Sequence, residues 1–433
     1  MINIRSMKMR QTIIACSLLL VAIAFGSAIP YSGSKNPAEP HKVQADSLRP
    51  PGVVIAESLD PKNIFVASPS LVILNDGSYL CSVEWTGPMI GDKRNTSIYR
   101  STDKGKSWKK ISEVKPMRWA TLFVHNKSVY LFGVKDAYSA IHITKSDDKG
   151  QTWTKATDKN NGVLFDDGRY HTGPVPVIVH NKRIWRAFED QKINNDRNSF
   201  EALVVSAPID ADLLKASSWV MSNKVGFKKS WLNALTPGVS EGNVVVTPDG
   251  QVVDILRVET HPGKEDKFAL EGGAAGIPRF EVATMMKTSA DGKHMSFNPN
   301  TDFIHFPGGE SKFTIRYDAK TKRYWTLANK ITKMHQRLNF DYSPHRQRNV
   351  MSLLSSPDLK VWTEHSRILK WKEGEIMEKK SPVAFQYLDW QFEGKDIVAV
   401  SRTAWYGNRA HDANFVTFHR VENFRNLASM EIK

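Results

Sequence analysis

Between residues 50 and 420 the chain alternates short apolar runs with tight-turn signals, and helical three-to-four spacing is scarce. Leu71-Val-Ile-Leu-Asn-Asp-Gly-Ser-Tyr-Leu-Cys-Ser-Val83 reads as strand, turn, strand. Val244-Val-Val-Thr-Pro-Asp-Gly-Gln-Val-Val-Asp-Ile-Leu256 repeats that plan, and Phe392-Glu-Gly-Lys-Asp-Ile-Val-Ala-Val400 adds a third hairpin. Val124-His-Asn-Lys-Ser-Val-Tyr-Leu-Phe132 and Val179-His-Asn-Lys-Arg-Ile-Trp185 form a further matched pair. Only Asp210 to Ser217 hints at a short helix.

Superimposed on this pattern is a repeat. Ser101-Thr-Asp-Lys-Gly-Lys-Ser-Trp108 recurs as Ser146-Asp-Asp-Lys-Gly-Gln-Thr-Trp153. Asp binds nearby backbone amides, Gly accepts positive φ, and Trp opens the next strand with a ring to bury between sheets. Partial copies follow at Ser289 to Phe297 and Ser355 to Trp362, with a degenerate one from Ser206 to Trp219. A hairpin of this kind cannot bury both faces alone, so repetition predicts radial stacking in an all-β propeller. The octets resemble the Asp-box of the sialidase superfamily, which implies a six-bladed propeller, with five or seven blades as alternatives. Residues 51–433 are read as this single domain.

The N-terminus is different. Lys8 and Arg10 precede Thr12-Ile-Ile-Ala-Cys-Ser-Leu-Leu-Leu-Val-Ala-Ile-Ala-Phe-Gly-Ser-Ala28, a basic start, an apolar core and a small-residue end. That reads as a cleaved signal peptide over residues 1–28, hence a secreted or periplasmic protein without stable membrane insertion. Residues 29–50, rich in Pro, Ser, Lys and Gly, read as a flexible linker. Beyond residue 28 one cysteine remains, Cys81, so an intramolecular disulfide is excluded and stability must come from the core. The formal charge is +15, falling to +12 without Arg5, Lys8 and Arg10. In an exported protein such a balance points to anionic oligo- or polysaccharides as partners and away from nucleic acid. Lysine on an ordinary solvated surface would give the same count.

No Gly-rich phosphate loop, zinc signature or nucleophile elbow is present, so no cofactor and no metal is expected. An ion held on the axis by backbone carbonyls would leave no motif. Chemistry must come from Asp, Glu, His, Tyr and Arg where the inner strands converge. The likeness to sialidases nominates residues one by one. That family holds a substrate carboxylate with three arginines, attacks with a Tyr activated by a Glu, and uses an Asp as acid/base. Ser240-Glu-Gly-Asn-Val through Arg257 matches the Glu and second arginine, as Glu241 and Arg257. Arg348, ahead of Ser355 to Trp362, matches the third arginine. Tyr387, in Gln386-Tyr-Leu-Asp-Trp, matches the nucleophile, and Asp92, in Gly91-Asp-Lys-Arg, falls in the region of the acid/base. The first arginine is missing, because Ala67 stands in its place in Val66-Ala-Ser-Pro.

Two further clusters lie outside that pattern. Asp167-Gly-Arg-Tyr-His171 puts Arg169, Tyr170 and His171 before an inner strand. Arg to neutralise a uronate, His as base and Tyr as acid would make a polysaccharide lyase. A loop His bonded to backbone is the bland reading. Arg402-Thr-Ala-Trp-Tyr-Gly-Asn-Arg-Ala-His-Asp-Ala-Asn414 offers Arg402 and Asn414 for sugar recognition, Trp405 and Tyr406 for stacking, and Asp412 as another carboxylate. The competing readings are a sialidase-like exo-glycosidase acting on a terminal acidic or modified sugar, a uronate lyase, and a non-catalytic glycan-binding propeller.

Overall fold

The computed structural model describes residues 49–91, 95–194, 196, 199–228, 231, 239–259, 281–332, 344–373 and 382–429. The proposed leader, nearly all of the linker and Asp92 lie outside them. Among the described residues every regular element is a strand or a single 3-10 turn, and no helix is long and apolar enough to cross a membrane.

β1 (Val53–Glu57) precedes a four-stranded meander of β2 (Phe65–Ile73), β3 (Tyr79–Thr86), β4 (Thr96–Ser101) and β5 (Lys109–Val114). A nine-stranded sheet follows, with β6 (Arg118–His125), β7 (Ser128–Val134), β8 (Ser139–Ser146), β9 (Val163–His171), β10 (Ile178–His180), β11 (Arg183–Gln191), β12 (Phe200–Pro208), β13 (Val220–Met221) and β14 (Val225–Gly226). It holds two meanders, β6-β7-β8 and β10-β11-β12, joined because β9 pairs with both β8 and β11. Next comes a five-stranded sheet of β15 (Val239–Val246), β16 (Val252–Val258), β17 (Val282–Thr288), β18 (Met295–Ser296) and β19 (Phe303–His305). β20 (Thr314–Asp318), β21 (Arg323–Ala328), β22 (Val350–Ser356) and β23 (Thr363–Lys370) make another four-stranded sheet. β24 (Val383–Glu393), β25 (Asp396–Trp405) and β26 (Phe415–Val421) form the last, which β1 completes by pairing with β26. The expected six-fold repetition is thus present as six meanders in five hydrogen-bonded sheets.

The core confirms the count. Six apolar clusters lie between successive meanders, and one of them joins the last to the first through Phe418, Val400, Tyr79 and Cys81. The repeated octets explain the stacking. In the first, Asp103 accepts from Ser101 Oγ (2.8 Å), Ser107 N (2.9 Å) and Ser107 Oγ (2.6 Å), and Gly105 N donates to Ser101 Oγ (2.8 Å). Asp148, Ser146, Gly150 and Thr152 repeat every one of those bonds. Gly105 and Gly150 take φ of +86° and +88°, the region open to glycine without a Cβ penalty. Each turn Trp then packs against the preceding unit: Trp108 against the last meander, Trp153 against the first, Trp219 against the second. The copy ending at Trp362 has one residue fewer between its Asp and its Trp, and Leu359 takes the left-handed turn (φ 69°) that Gly fills elsewhere.

Around the axis, neighbouring units are tied by side-chain bonds. Asp389 accepts from Ser70 Oγ (2.8 Å) and Leu71 N (2.9 Å), and Ser70 Oγ accepts from Leu122 N (3.0 Å). Thr121 Oγ1 donates to Val175 O (2.8 Å), and Gly242 N donates to Glu189 (3.1 Å). Asn243 Nδ2 donates to Phe313 O (3.2 Å), and Thr314 Oγ1 donates to Leu388 O (2.9 Å). These links close a ring through all six units. Buried backbone groups on the inner edges would otherwise lack partners.

Candidate active site

Four inner strands carry the same irregularity near their starts. β2 shifts register between Ala67 and Ser70, β6 between Arg118 and Thr121, β15 between Ser240 and Asn243, and β24 between Gln386 and Asp389. Inside each bulge one residue is left-handed: Ser68 (φ 46°), Trp119 (50°), Glu241 (56°) and Tyr387 (55°). A bulge re-aims a side chain, and a non-glycine residue at such φ costs roughly 1–3 kcal/mol. The strain therefore falls on the two residues that the sequence nominates as nucleophile and activator.

Those residues meet across the axis. Tyr387 Oη donates to Glu241 Oε1 at 2.5 Å, joining the fourth unit to the sixth. Arg257, on β16, donates to Glu241 Oε2 at 2.6 Å, to Glu310 O at 3.0 Å and to the Glu259 carboxylate. Burial works against the Glu241 charge, yet Arg257 foremost, then His171 and Tyr387, hold its carboxyl below the usual range. Burial and the Glu241 charge push the Tyr387 phenol up, while Arg257, Arg348 and Arg402 pull it down. A carboxylate hydrogen-bonded to a phenol beside cations can accept the phenolic proton as the oxygen attacks.

Two of those cations are hydrogen-bonded to uncharged groups. Arg348 lies 5.8 Å from the Tyr387 ring centre and donates to His345 O (2.8 Å) and to Gln386 Oε1. Arg402, on β25, lies 5.1 Å from the same ring and donates to His411 O, and its buried Nε has no partner. Neither makes an ion pair among the described residues. Both are buried, and burial lowers Arg348 to about 10 and lowers Arg402 as well. With Ala67 where the first arginine is expected, Arg402 is the cation that brings the number near Tyr387 back to three.

The Arg169–Tyr170–His171 run is split between the two faces of its strand. Successive residues on a strand face opposite ways. Tyr170 is fully buried in the core between the second and third units, its Oη donating to Asp167 at 2.6 Å. Arg169 donates to Asn194 (2.7 Å) and Gln191 (3.3 Å). His171 shares its face with Arg169, both against the Tyr138 ring, and its Nδ1 lies 2.8 Å from Glu189. Asn414 likewise serves the backbone: it accepts from Trp405 N (2.9 Å) and donates to Trp405 O (3.1 Å). It thereby holds up the loop that exposes Tyr406, whose ring neighbours Trp405 and Trp371. Asp412 is taken up by Arg409 (2.5 Å) and His411 (2.9 Å).

Sequence reasoning missed Glu84, Trp119 and Glu189. Glu84 accepts from Arg118 Nε (2.7 Å) and Trp119 N (3.2 Å), fixing the second bulge. The signal for all three is a polar or bulky residue inside a run that otherwise reads as buried strand. No group of three His, Cys, Asp or Glu side chains among the described residues is placed to hold a metal ion. A separate cavity of about 840 Å³, lined by Val179, Val246, Tyr317 and Gln391, sits at the far ends of the same inner strands. None of the residues above lines it.

No family model and no curated protein sequence matches this chain. Solved structures do. An α-L-arabinofuranosidase of Fusarium graminearum, in complex with an iminosugar inhibitor, superimposes with a TM-score of 0.52 at 14% identity, covering 87% of this chain and 98% of its own. A protein of unknown function from Dyadobacter fermentans gives 0.51 at 12% identity, covering 87% and 99%. A sialidase of Trypanosoma rangeli bound to the inhibitor DANA gives 0.51 at 11% identity, covering 87% of this chain and 56% of its own. The fold is that of the sialidase-like propellers.

Proposed function

We propose that this protein is an exo-acting glycoside hydrolase of sialidase type that removes a terminal acidic sugar from an anionic glycan. The observation that carries the reading is the 2.5 Å bond between Tyr387 and Glu241, set against two buried arginines that form no ion pair among the described residues. Glycosidases among the structural neighbours, an arabinofuranosidase and a sialidase, support it.

The chemistry follows from charge. A buried cation without a direct ion pair is expensive, and Arg348 and Arg402 together favour an anionic group beside Tyr387. A substrate carrying its own anion repels a carboxylate nucleophile, whereas a phenol arrives neutral and sheds its proton to Glu241 as it attacks. Arg257 keeps Glu241 ionised for that task. Trp371 and Tyr406 at the rim offer faces on which a sugar ring can stack.

The test is incubation of the protein with a panel of anionic glycans in heavy-oxygen water, with products read by mass spectrometry. Hydrolysis puts one heavy oxygen into the product, and Tyr387→Phe abolishes it while the fold persists. An unlabelled, unsaturated product would mean elimination and would overturn the reading. Full activity of Tyr387→Phe would do the same. Binding without turnover would leave a glycan-binding propeller.

A further inference from the structure

Hydrolysis needs a proton for the departing oxygen, and neither Tyr387 nor Glu241 is free to give it. Among the described residues Glu84 is occupied by Arg118 and the Trp119 amide, Glu259 by Arg257, and Asp412 by Arg409 and His411. We infer that His171, oriented by Glu189, is the acid/base of this same site. The inference rests on the hydrolase reading above.

Three observations place it. First, the strand end that carries His171 runs past Glu241. Gly173, two residues on, is so close to Glu241 that an added Cβ would lie 3.3 Å from Glu241 Cγ. His171 is also among the groups whose nearness lowers the Glu241 carboxyl. Second, one carboxylate organises both groups. Glu189, wholly buried, holds His171 Nδ1 with Oε2 (2.8 Å) and accepts the Gly242 amide with Oε1 (3.1 Å). Gly242 directly follows Glu241, so Glu189 sets the imidazole and the strained bulge that aims Glu241 in register. Third, the ring is clamped. It stacks on Phe200 (centroids 4.9 Å, planes 14° apart) and meets the edge of Trp119 at 4.6 Å. With Nδ1 committed to Glu189, Nε2 has no protein partner among the described residues, and the side chain keeps 12% exposure. A carboxylate on one imidazole nitrogen and an open second nitrogen is the arrangement for proton transfer at that second atom.

The steps balance. Tyr387 Oη bonds to the anomeric carbon and its proton passes to Glu241 Oε1. The bond to the leaving oxygen breaks, and that oxygen takes the electron pair and the proton of His171 Nε2. Water then attacks the anomeric carbon, giving a proton to His171 Nε2. The bond to Tyr387 breaks, and the phenolate recovers its proton from Glu241. One water is consumed. Glu189 remains ionised throughout and acts as a positioning residue.

The test compares methyl and 4-nitrophenyl glycosides of glucuronic acid and of N-acetylneuraminic acid, because an alkoxide needs protonation and a nitrophenolate does not. For His171→Asn we expect cleavage of the methyl glycoside to fall by about 100-fold or more, with a much smaller loss on the nitrophenyl glycoside. Added azide should restore turnover and yield a glycosyl azide. Glu189→Gln should show the same leaving-group pattern in weaker form, which a merely structural defect would not. Equal losses on both leaving groups in both variants, with Tyr387→Phe inactive, would overturn the role of His171 and leave the hydrolase reading standing. An active Tyr387→Phe variant, or no cleavage of any of these glycosides by the wild type, would overturn both.

Discussion

Arg402→Met should make the protein more stable and less active. Arg402 is 6% exposed, donates one bond to His411 O, keeps an unpartnered buried Nε, and has no carboxylate partner among the described residues. Methionine keeps the length, drops the charge and fills the space flexibly. Losing the bond to His411 O costs about 1 kcal/mol. Removing a buried charge that has no direct ion pair recovers a desolvation penalty of several kcal/mol, partly relieved in the native protein by the Tyr387 face and by the charges of Glu84, Asp412 and Glu241. The balance is a gain of about 1–3 kcal/mol, read as a higher urea midpoint with unchanged slope. Catalysis moves the other way. A charge-assisted bond to a substrate carboxylate contributes about 1.5–3 kcal/mol, so kcat/KM on an acidic glycoside should fall about 10- to 150-fold. A neutral glycoside should lose nothing. Unchanged kcat/KM on the acidic substrate would refute the anion-binding role. A drop in stability of more than about 2 kcal/mol would mean that Arg402 braces the last unit structurally, and would refute the charge argument.

Two further expectations concern the scaffold. Gly105→Ala should destabilise by roughly 2–4 kcal/mol, because the new Cβ would sit 2.3 Å from the Phe418 ring at a φ of +86°; a thermal midpoint within error of wild type would contradict this. Glu364 on β23 accepts from Ser352 (2.8 Å), Arg367 (2.8 Å) and Lys330 (2.7 Å). Burial opposes its charge, but Arg367, Lys330 and Ser352 more than offset that and hold the carboxyl down at about 2 against an ordinary 4.5. A depressed carboxylate stabilises above its unfolded pKa, so stability of up to about 3 kcal/mol should vanish as pH falls from about 4.5 to about 2. Glu364→Gln should flatten that part of the acid-unfolding curve, and an unaltered curve would count against it.

The turn octets made the fold legible, since Asp, Gly and Trp at fixed spacing dictate a hairpin and a buried ring whatever surrounds them. The tyrosine, glutamate and arginines of the site were legible only by resemblance. Nothing in Gln386-Tyr-Leu-Asp or Ser240-Glu-Gly-Asn announces a left-handed bulge, because the strain is imposed by the closed ring and not by local preference. The Arg169–Tyr170–His171 run misled for a simpler reason. Its three residues are adjacent on strand β9, and the two-residue period of a strand turns Tyr170 into the core, away from the face that Arg169 and His171 share. The approach of Arg402 to Tyr387 was out of reach, as it depends on a contact between β25 and a ring on β24. Asp92 lies outside the described residues, and its part is taken in our reading by His171.

The seam between β1 and β26 carries a kinetic consequence. Val53 pairs with Phe418 and Glu57 with Phe415, so the first strand of the propeller finds its partner only when the last has been made. Until then β26 offers an unpaired edge, and the inner strands of the first and last units wait without the Asp389 link to Ser70 and Leu71. Such a distant pairing is slow to form, and an open strand edge recruits other chains. A chain clipped before Ser58 would therefore be recognised by its fate at high concentration, where it should self-associate through β26 while its remaining sheets stay folded.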